Sequence, residues 1–229
     1  MPRSDARWNK AIPCQCKRNE IAARRARKLQ AVDGLREGER RLRFAGLDVT
    51  PANREAIVAV NQATAAQRGI VTLIGPVGTG KTSLLICAVN EAREAGVEAV
   101  YMTVVDLLDW LRKSFDRQES QKARRANGEF IGEDEAATVD EKWKLLTTAP
   151  VLALDELDEF RQSDWAMERF HRLIDERWRS MEERLTLLAT NANMRMLSPR
   201  VASRLQDGRA QVVTIAGGDM RRMNEWWDR

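Results

Sequence analysis

Five short, nearly unbroken apolar runs punctuate the chain: IVTLIG at 70–75, VEAVYMTV at 97–104, VLALDEL at 151–157, LTLLATN at 185–191 and QVVTIA at 211–216. None shows the alternation of a half-solvated strand, so each predicts a strand covered on both faces. Between them lie segments with helical spacing, at 81–95, 106–116, 163–184 and 198–206. A further helix is predicted in PANREAIVAVNQATAAQRG, opened by Pro51 and closed by Gly69. Alternation of this kind predicts an α/β fold, a parallel sheet flanked by helices. The polar connection at 117–141 leaves two alternatives open, a mobile loop and a short helix.

Upstream the pattern changes. Residues 1–45 are rich in Ala, Arg, Lys and Glu, with Ile21, Leu29 and Val32 only loosely at helical spacing. This segment is expected to be helical with a weak core of its own, leaving 46–229 as the globular domain.

Charge sharpens that division. The 229 residues carry a net charge of +4, yet residues 1–45 hold 13 Lys/Arg against 5 Asp/Glu, a net +8 that leaves −4 for the remainder. A basic arm on a mildly acidic body fits contact with nucleic acid or an acidic partner; a solvated charged helix fits equally. At 43% hydrophobic the chain can bury one sizeable core. Three cysteines, Cys14, Cys16 and Cys87, are too few for a disulfide framework. Cys14 and Cys16 could form half of a zinc site, but only Cys87 and His171 remain to complete it. With no apolar leader and no run of about 18 apolar residues, the expectation is a soluble, cytoplasmic protein without a membrane role.

The chemistry begins behind the first run. GPVGTGKTS, at 75–83, fits G-x-x-x-x-G-K-[ST] as Gly75, Gly80, Lys81 and Thr82, between a predicted strand and a predicted helix. Gly78 and Gly80 let backbone N–H groups turn towards phosphate oxygens, while the helix beginning near Lys81 offers its positive end. The candidate cradle is Gly75, Pro76, Val77, Gly78, Thr79, Gly80, Lys81, Thr82 and Ser83. Lys81 would reach the β- and γ-phosphates of ATP, and Thr82 would offer its hydroxyl to Mg²⁺.

Hydrolysis needs an acid at the end of another strand. PVLALDELDEF supplies one: Asp155 can orient Mg²⁺, and Glu156 can polarise the attacking water. Asp158 and Glu159 follow, so surface acids after a core strand remain the plain alternative. LTLLATN ends in Thr190 and Asn191, where a polar side chain could hold that water. Further on, SPRVASRLQDG places Arg200 and Arg204 four apart, on one face of a short helix. Arg204 is the candidate to stabilise γ-phosphate charge in a neighbouring subunit. In the polar connection, Lys122, Arg124 and Arg125 could track a DNA backbone, although no aromatic residues are interleaved with them.

This order of P-loop (Walker A), acidic strand end (Walker B), Asn at a strand end and Arg on a helix resembles the AAA+ ATPases. Within them it resembles the DnaC/IstB-like group, which includes helicase loaders of bacteria and phages. DLLDWLRKSFD (106–116), SDWAMERFHRLIDERWRS (163–180), SRLQDG (203–208) and VVTIAGGDMR (212–221) also carry the likeness, which covers 45–229 well and the first 45 residues faintly. The resemblance implies a five-stranded parallel sheet with the Walker strands adjacent, ATP and Mg²⁺ as ligands, and a homo-oligomer sharing active sites. It implies a hexameric DnaB-type replicative helicase and single-stranded DNA as partners. The alternatives are an IstB-like helper of a transposase acting on duplex DNA, and an ATP-binding switch with little hydrolysis. Arg221 matches the family's final Arg; with eight residues after it, the lid is expected to be minimal or absent.

Overall fold

The computed structural model describes residues 14–17, 20, 33–127, 139–160 and 163–218. Arg221 and most of the basic N-terminal segment lie outside them. Five strands form one parallel sheet: β1 (Gly69–Ile74), β2 (Ala99–Thr103), β3 (Val151–Asp155), β4 (Leu185–Thr190) and β5 (Gln211–Thr214). Accompanying them among the described residues are α1 (Arg54–Ala66), α2 (Lys81–Glu94), α3 (Val104–Ala126), α4 (Val139–Thr148), α5 (Asp164–Arg179) and α6 (Pro199–Leu205).

The strand order is β2-β3-β4-β1-β5. The expectation that the Walker strands are adjacent is therefore corrected, because β4 pairs with β1 on one side and β3 on the other. The inserted strand widens the gap between P-loop and acid to about two strand spacings, near 10 Å.

Both sheet faces are covered, which explains the continuous apolar runs. One face packs Val71, Leu73, Val151 and Ala153 against α1 and α2. The other packs Val100, Leu152, Leu154 and Leu188 against α3, α4, α5 and α6. Since successive strand residues alternate faces, Asp155 follows Val151 and Ala153 to the α2 side, towards the P-loop helix.

Several boundaries differ from the sequence reading, among them the end of α5, expected at 184 and found at Arg179. Helix α1 begins at Arg54, not Pro51, and ends at Gln67 in the left-handed region (φ 55°), two residues before Gly69 opens β1. Helix α3 runs on through Ala126, so the first part of the polar connection is helical and α4 occupies its end; 128–138 lie outside the described residues. Without an apolar stripe beyond Phe115, that continuation is a solvated helix supported by local pairs such as Lys122–Glu119 at 2.7 Å.

Two buried charges organise the periphery. The Arg177 guanidinium, 0% exposed, donates to the carbonyls of Ala149 (2.6 Å), Thr147 (3.4 Å) and Leu185 and to Thr186 Oγ1 (2.8 Å). It thus satisfies the carbonyls at the end of α4 and ties them to the start of β4. Burial, then the nearby Arg184, pushes Arg177 down to about 9. At the sheet edge, Asp33 pairs with Arg93 of α2 (2.9 Å) and Arg40 (3.4 Å), while Gly34 N–H donates to the Tyr101 carbonyl of β2 (2.8 Å). Leu35 and Phe44 are buried beside α2, and Asn90 donates to the carbonyls of Glu39 and Leu42.

Candidate nucleotide-binding and hydrolysis site

The P-loop joins β1 to α2. Gly78 (φ 80°) and Gly80 (φ 86°) adopt backbone conformations that side chains disfavour, which is why the turn places glycine there. Gly80 also caps α2, and no side chain bonds to the helix start, so the first N–H groups of α2 stand ready for phosphate oxygens. The buried Lys81 Nζ donates to the carbonyls of Gly75 (2.7 Å) and Pro76 (2.8 Å), centring the ammonium in the loop. Thr79 Oγ1 also donates to the Pro76 carbonyl (2.9 Å) and tightens the turn.

A cavity of about 550 Å³ opens beside the loop. Val77, Gly78, Thr79, Gly80, Lys81, Thr82 and Ser83 line one side; Asp155, Glu156, Glu159, Thr190 and Asn191 line the other. Gly46, Leu47, Asp48 and Asn53 close the remaining end. The volume and lining suit a nucleotide, with phosphates at the loop.

Asp155 is only 4% exposed, and each of its oxygens receives one donor: the Glu156 N–H at Oδ1 (2.9 Å) and the Tyr101 hydroxyl at Oδ2 (3.0 Å). With the Thr82 hydroxyl it forms a set of hard oxygen donors of the kind Mg²⁺ takes. These two residues would hold the ion, which supplies charge neutralisation on the transferring phosphate.

Glu156 turns out of β3 at φ 58°, an uncommon conformation for a side-chain-bearing residue. Burial first, then the charges of Asp155, Glu159, Asp106 and Asp158, push its carboxyl up from 4.5, making it a better proton acceptor. Asp158 is no idle surface acid: its Oδ1 accepts from Thr190 Oγ1 (2.7 Å) and the Asn191 N–H (2.9 Å). Burial raises the Asp158 carboxyl, but these bonds, with further backbone donors at Asp158 and Ala192, outweigh it and leave it below its ordinary value. The turn after β3 is thereby fastened to the end of β4, beside Asn191.

Arg204 lies on α6, outside the cavity lining. It donates to Asp175 Oδ1 (3.1 Å) and lies 4.3 Å from the Trp178 ring centroid, while Arg200 pairs with the same carboxylate. Sequence reasoning missed Tyr101 and the 46–53 wall, and passed over Asp158. The DELDE run was the one available signal for Asp158; the others lie far along the chain from the motifs they serve.

A helix start without a side-chain cap behind a glycine-rich loop, with acids on a strand two positions away across an inserted strand, defines a P-loop ATPase. The family model described as "ATPase family associated with various cellular activities (AAA)" matches residues 71–211, and the chain belongs to that family.

No curated protein matches the sequence. Among solved structures, AMPPCP-bound DnaA from Aquifex aeolicus is 21% identical, with a TM-score of 0.62 over 83% of this chain and 54% of that one. The DnaC helicase loader is 18% identical, with a TM-score of 0.59 over 79% of this chain and 100% of its own. DnaI is 19% identical, with a TM-score of 0.58 over 80% and 96%. The chain spans about half the length of the AMPPCP-bound DnaA structures it matches. At these identities the likeness establishes a shared fold. Among the described residues no helix is long and apolar enough to cross a membrane.

Proposed function

We propose that this ATPase loads a hexameric replicative helicase onto single-stranded DNA, acting as an oligomer whose subunits share active sites. ATP binds at 75–83 with Mg²⁺ on Thr82 and Asp155, Glu156 activates water beside Asn191, and Arg204 reaches the γ-phosphate held by a neighbouring subunit. The N-terminal segment, 1–45, makes the partner contact, with Asp33 and Phe44 anchoring its end to the ATPase body.

The observation that carries the DNA half of this reading is a band of rings and cations across α3, α4 and α5. Lys142 lies 4.3 Å from the Trp110 centroid, Arg172 4.9 Å from Trp143, Arg169 5.0 Å from Phe115 and Arg112 5.2 Å from Trp165. The aromatics absent from the basic sequence at 122–125 are thus provided by the first half of α3 and its neighbours. Half-buried rings that hold a row of cations in place suit a phosphate backbone, the charge every single strand carries. The fold shared with the DnaC helicase loader and DnaI supports the helicase as the cargo.

The test is capture of partners from a lysate by Glu156→Gln protein held with ATP and Mg²⁺, with Lys81→Ala as control. Recovery of a hexameric helicase only by Glu156→Gln is the expected result. Recovery of a transposase, or of duplex DNA without helicase, would overturn the loader reading.

A further inference from the structure

We propose that Tyr101 is a positioning residue for Asp155, so that one buried phenol on the neighbouring strand sets how tightly the nucleotide-bound cation is held. The inference rests on the proposed assignment of Asp155 to that cation. Asp155 needs outside help with its orientation, because it is the last residue of β3 and the chain beyond it turns sharply through Glu156. Its Oδ1 is fixed by that turn's own N–H; among the described residues, Oδ2 is fixed by the Tyr101 hydroxyl, at 3.0 Å. Without the second bond, rotation about the Cα–Cβ and Cβ–Cγ bonds would be restrained at one oxygen alone.

Register explains why a tyrosine fits this task. Strands β2 and β3 run parallel with Tyr101 opposite Ala153, both facing α2, so Asp155 lies two residues further along the same face. Two residues of strand span roughly 7 Å, a distance that a phenol bridges and a serine or threonine hydroxyl does not. The ring is buried, at 7% exposure. Its backbone is clamped from the sheet edge, where the Gly34 N–H donates to the Tyr101 carbonyl and Asp33 Oδ1 accepts from the Tyr101 N–H (3.4 Å). A phenol keeps its proton at neutral pH and therefore donates. A hydrogen bond of this kind leaves a lone pair on each Asp155 oxygen free to face the cation, and hydrogen-bonded partners of ligating carboxylates typically govern metal affinity.

Tyr101→Phe keeps the ring and removes only the donor. Binding of Mn²⁺ to the complex of full-length protein with AMPPCP, followed by electron paramagnetic resonance, should weaken about 10-fold or more. AMPPCP affinity without divalent cation should stay within about two-fold, and the Mg²⁺ needed for half-maximal turnover should rise in step. A merely structural bond would lower the unfolding temperature without moving Mn²⁺ affinity, and that result overturns the proposal. Normal Mn²⁺ binding by Asp155→Asn would instead sink the metal assignment beneath it, so the two failures are distinct. Tyr101 is the chain's single tyrosine, so fluorotyrosine incorporation gives one ¹⁹F signal without a mutation. That signal should shift when Mg²⁺ joins the AMPPCP complex and stay still in Asp155→Asn; no shift in the otherwise native protein contradicts the inference.

Discussion

Replacing Glu156 by glycine should abolish hydrolysis and stabilise the fold. The left-handed backbone at φ 58° costs a side-chain-bearing residue about 1–2 kcal/mol. Glycine removes that strain but adds freedom to the unfolded chain, which returns about 0.4–1 kcal/mol. The carboxylate contributes a second, smaller penalty, because burial and four neighbouring acids raise its pKa. That burial is partial and most of the Glu156 side chain is open to water, so solvent screens this part to roughly 0.3 kcal/mol. Glu156→Gln removes only the charge, and Glu156→Gly removes both. The expected order at pH 7 is wild type, then Gln, then Gly, with Gly about 0.5–1 kcal/mol more stable than Gln. For a domain of this size that is about 1–4 °C in Tm. The pH dependence has a definite sign: with the folded value raised above 4.5, the wild type is least penalised below 4.5 and loses stability as pH rises through the folded value. The Gln advantage should therefore grow from acid to neutral pH, while the Gly–Gln difference stays constant. Thermal unfolding of the three proteins at several pH values measures both. A Gly variant no more stable than Gln would refute the backbone-strain argument.

Further predictions address other parts of the molecule. Asp158→Ala frees the Thr190 hydroxyl and the Asn191 N–H, and should lower ATP turnover about ten-fold with nucleotide affinity retained, as read by steady-state kinetics and fluorescent-nucleotide binding. Asp33→Ala leaves Arg93 and Arg40 without their shared buried carboxylate and should cost about 3 kcal/mol in urea unfolding. Arg177→Met strips donors from buried carbonyls at the α4–β4 junction and should cost a similar amount, about 3 kcal/mol. Burial, then Arg117 and Lys113, lower Lys142 from 10.5 to about 8. Single-stranded DNA affinity should therefore fall as pH rises from 7 to 9 and lose that dependence in Lys142→Gln, whereas the wild type's own stability should rise between about pH 8 and 10.5.

The strands and the P-loop were legible because their signals are local. A continuous apolar run states that both faces are covered, and GPVGTGKTS carries its own turn chemistry. Strand order was not legible. Whether β4 or β3 lies beside β1 depends on pairing between 69–74 and 185–190, segments more than a hundred residues apart with interchangeable apolar content. The extension of α3 to Ala126 was hidden for the opposite reason: a helix in water carries no apolar stripe to announce it. At the site, Asp155 and Glu156 were visible as acids after a buried strand, but the contacts that orient them were not. Tyr101 sits in VYMT as an ordinary strand aromatic, and only the β2–β3 register puts its hydroxyl on Asp155. Asp158 looked like one acid among several until the end of β4 was brought against it.

The most direct test of the central claim is steady-state ATP turnover by wild-type, Lys81→Ala and Glu156→Gln protein, with and without single-stranded DNA. Wild-type turnover should rise with single-stranded DNA, neither variant should turn over ATP, and ATP binding should persist only in Glu156→Gln. Wild-type turnover by Lys81→Ala would contradict the claim, because the ammonium centred in the P-loop would then play no part in the chemistry.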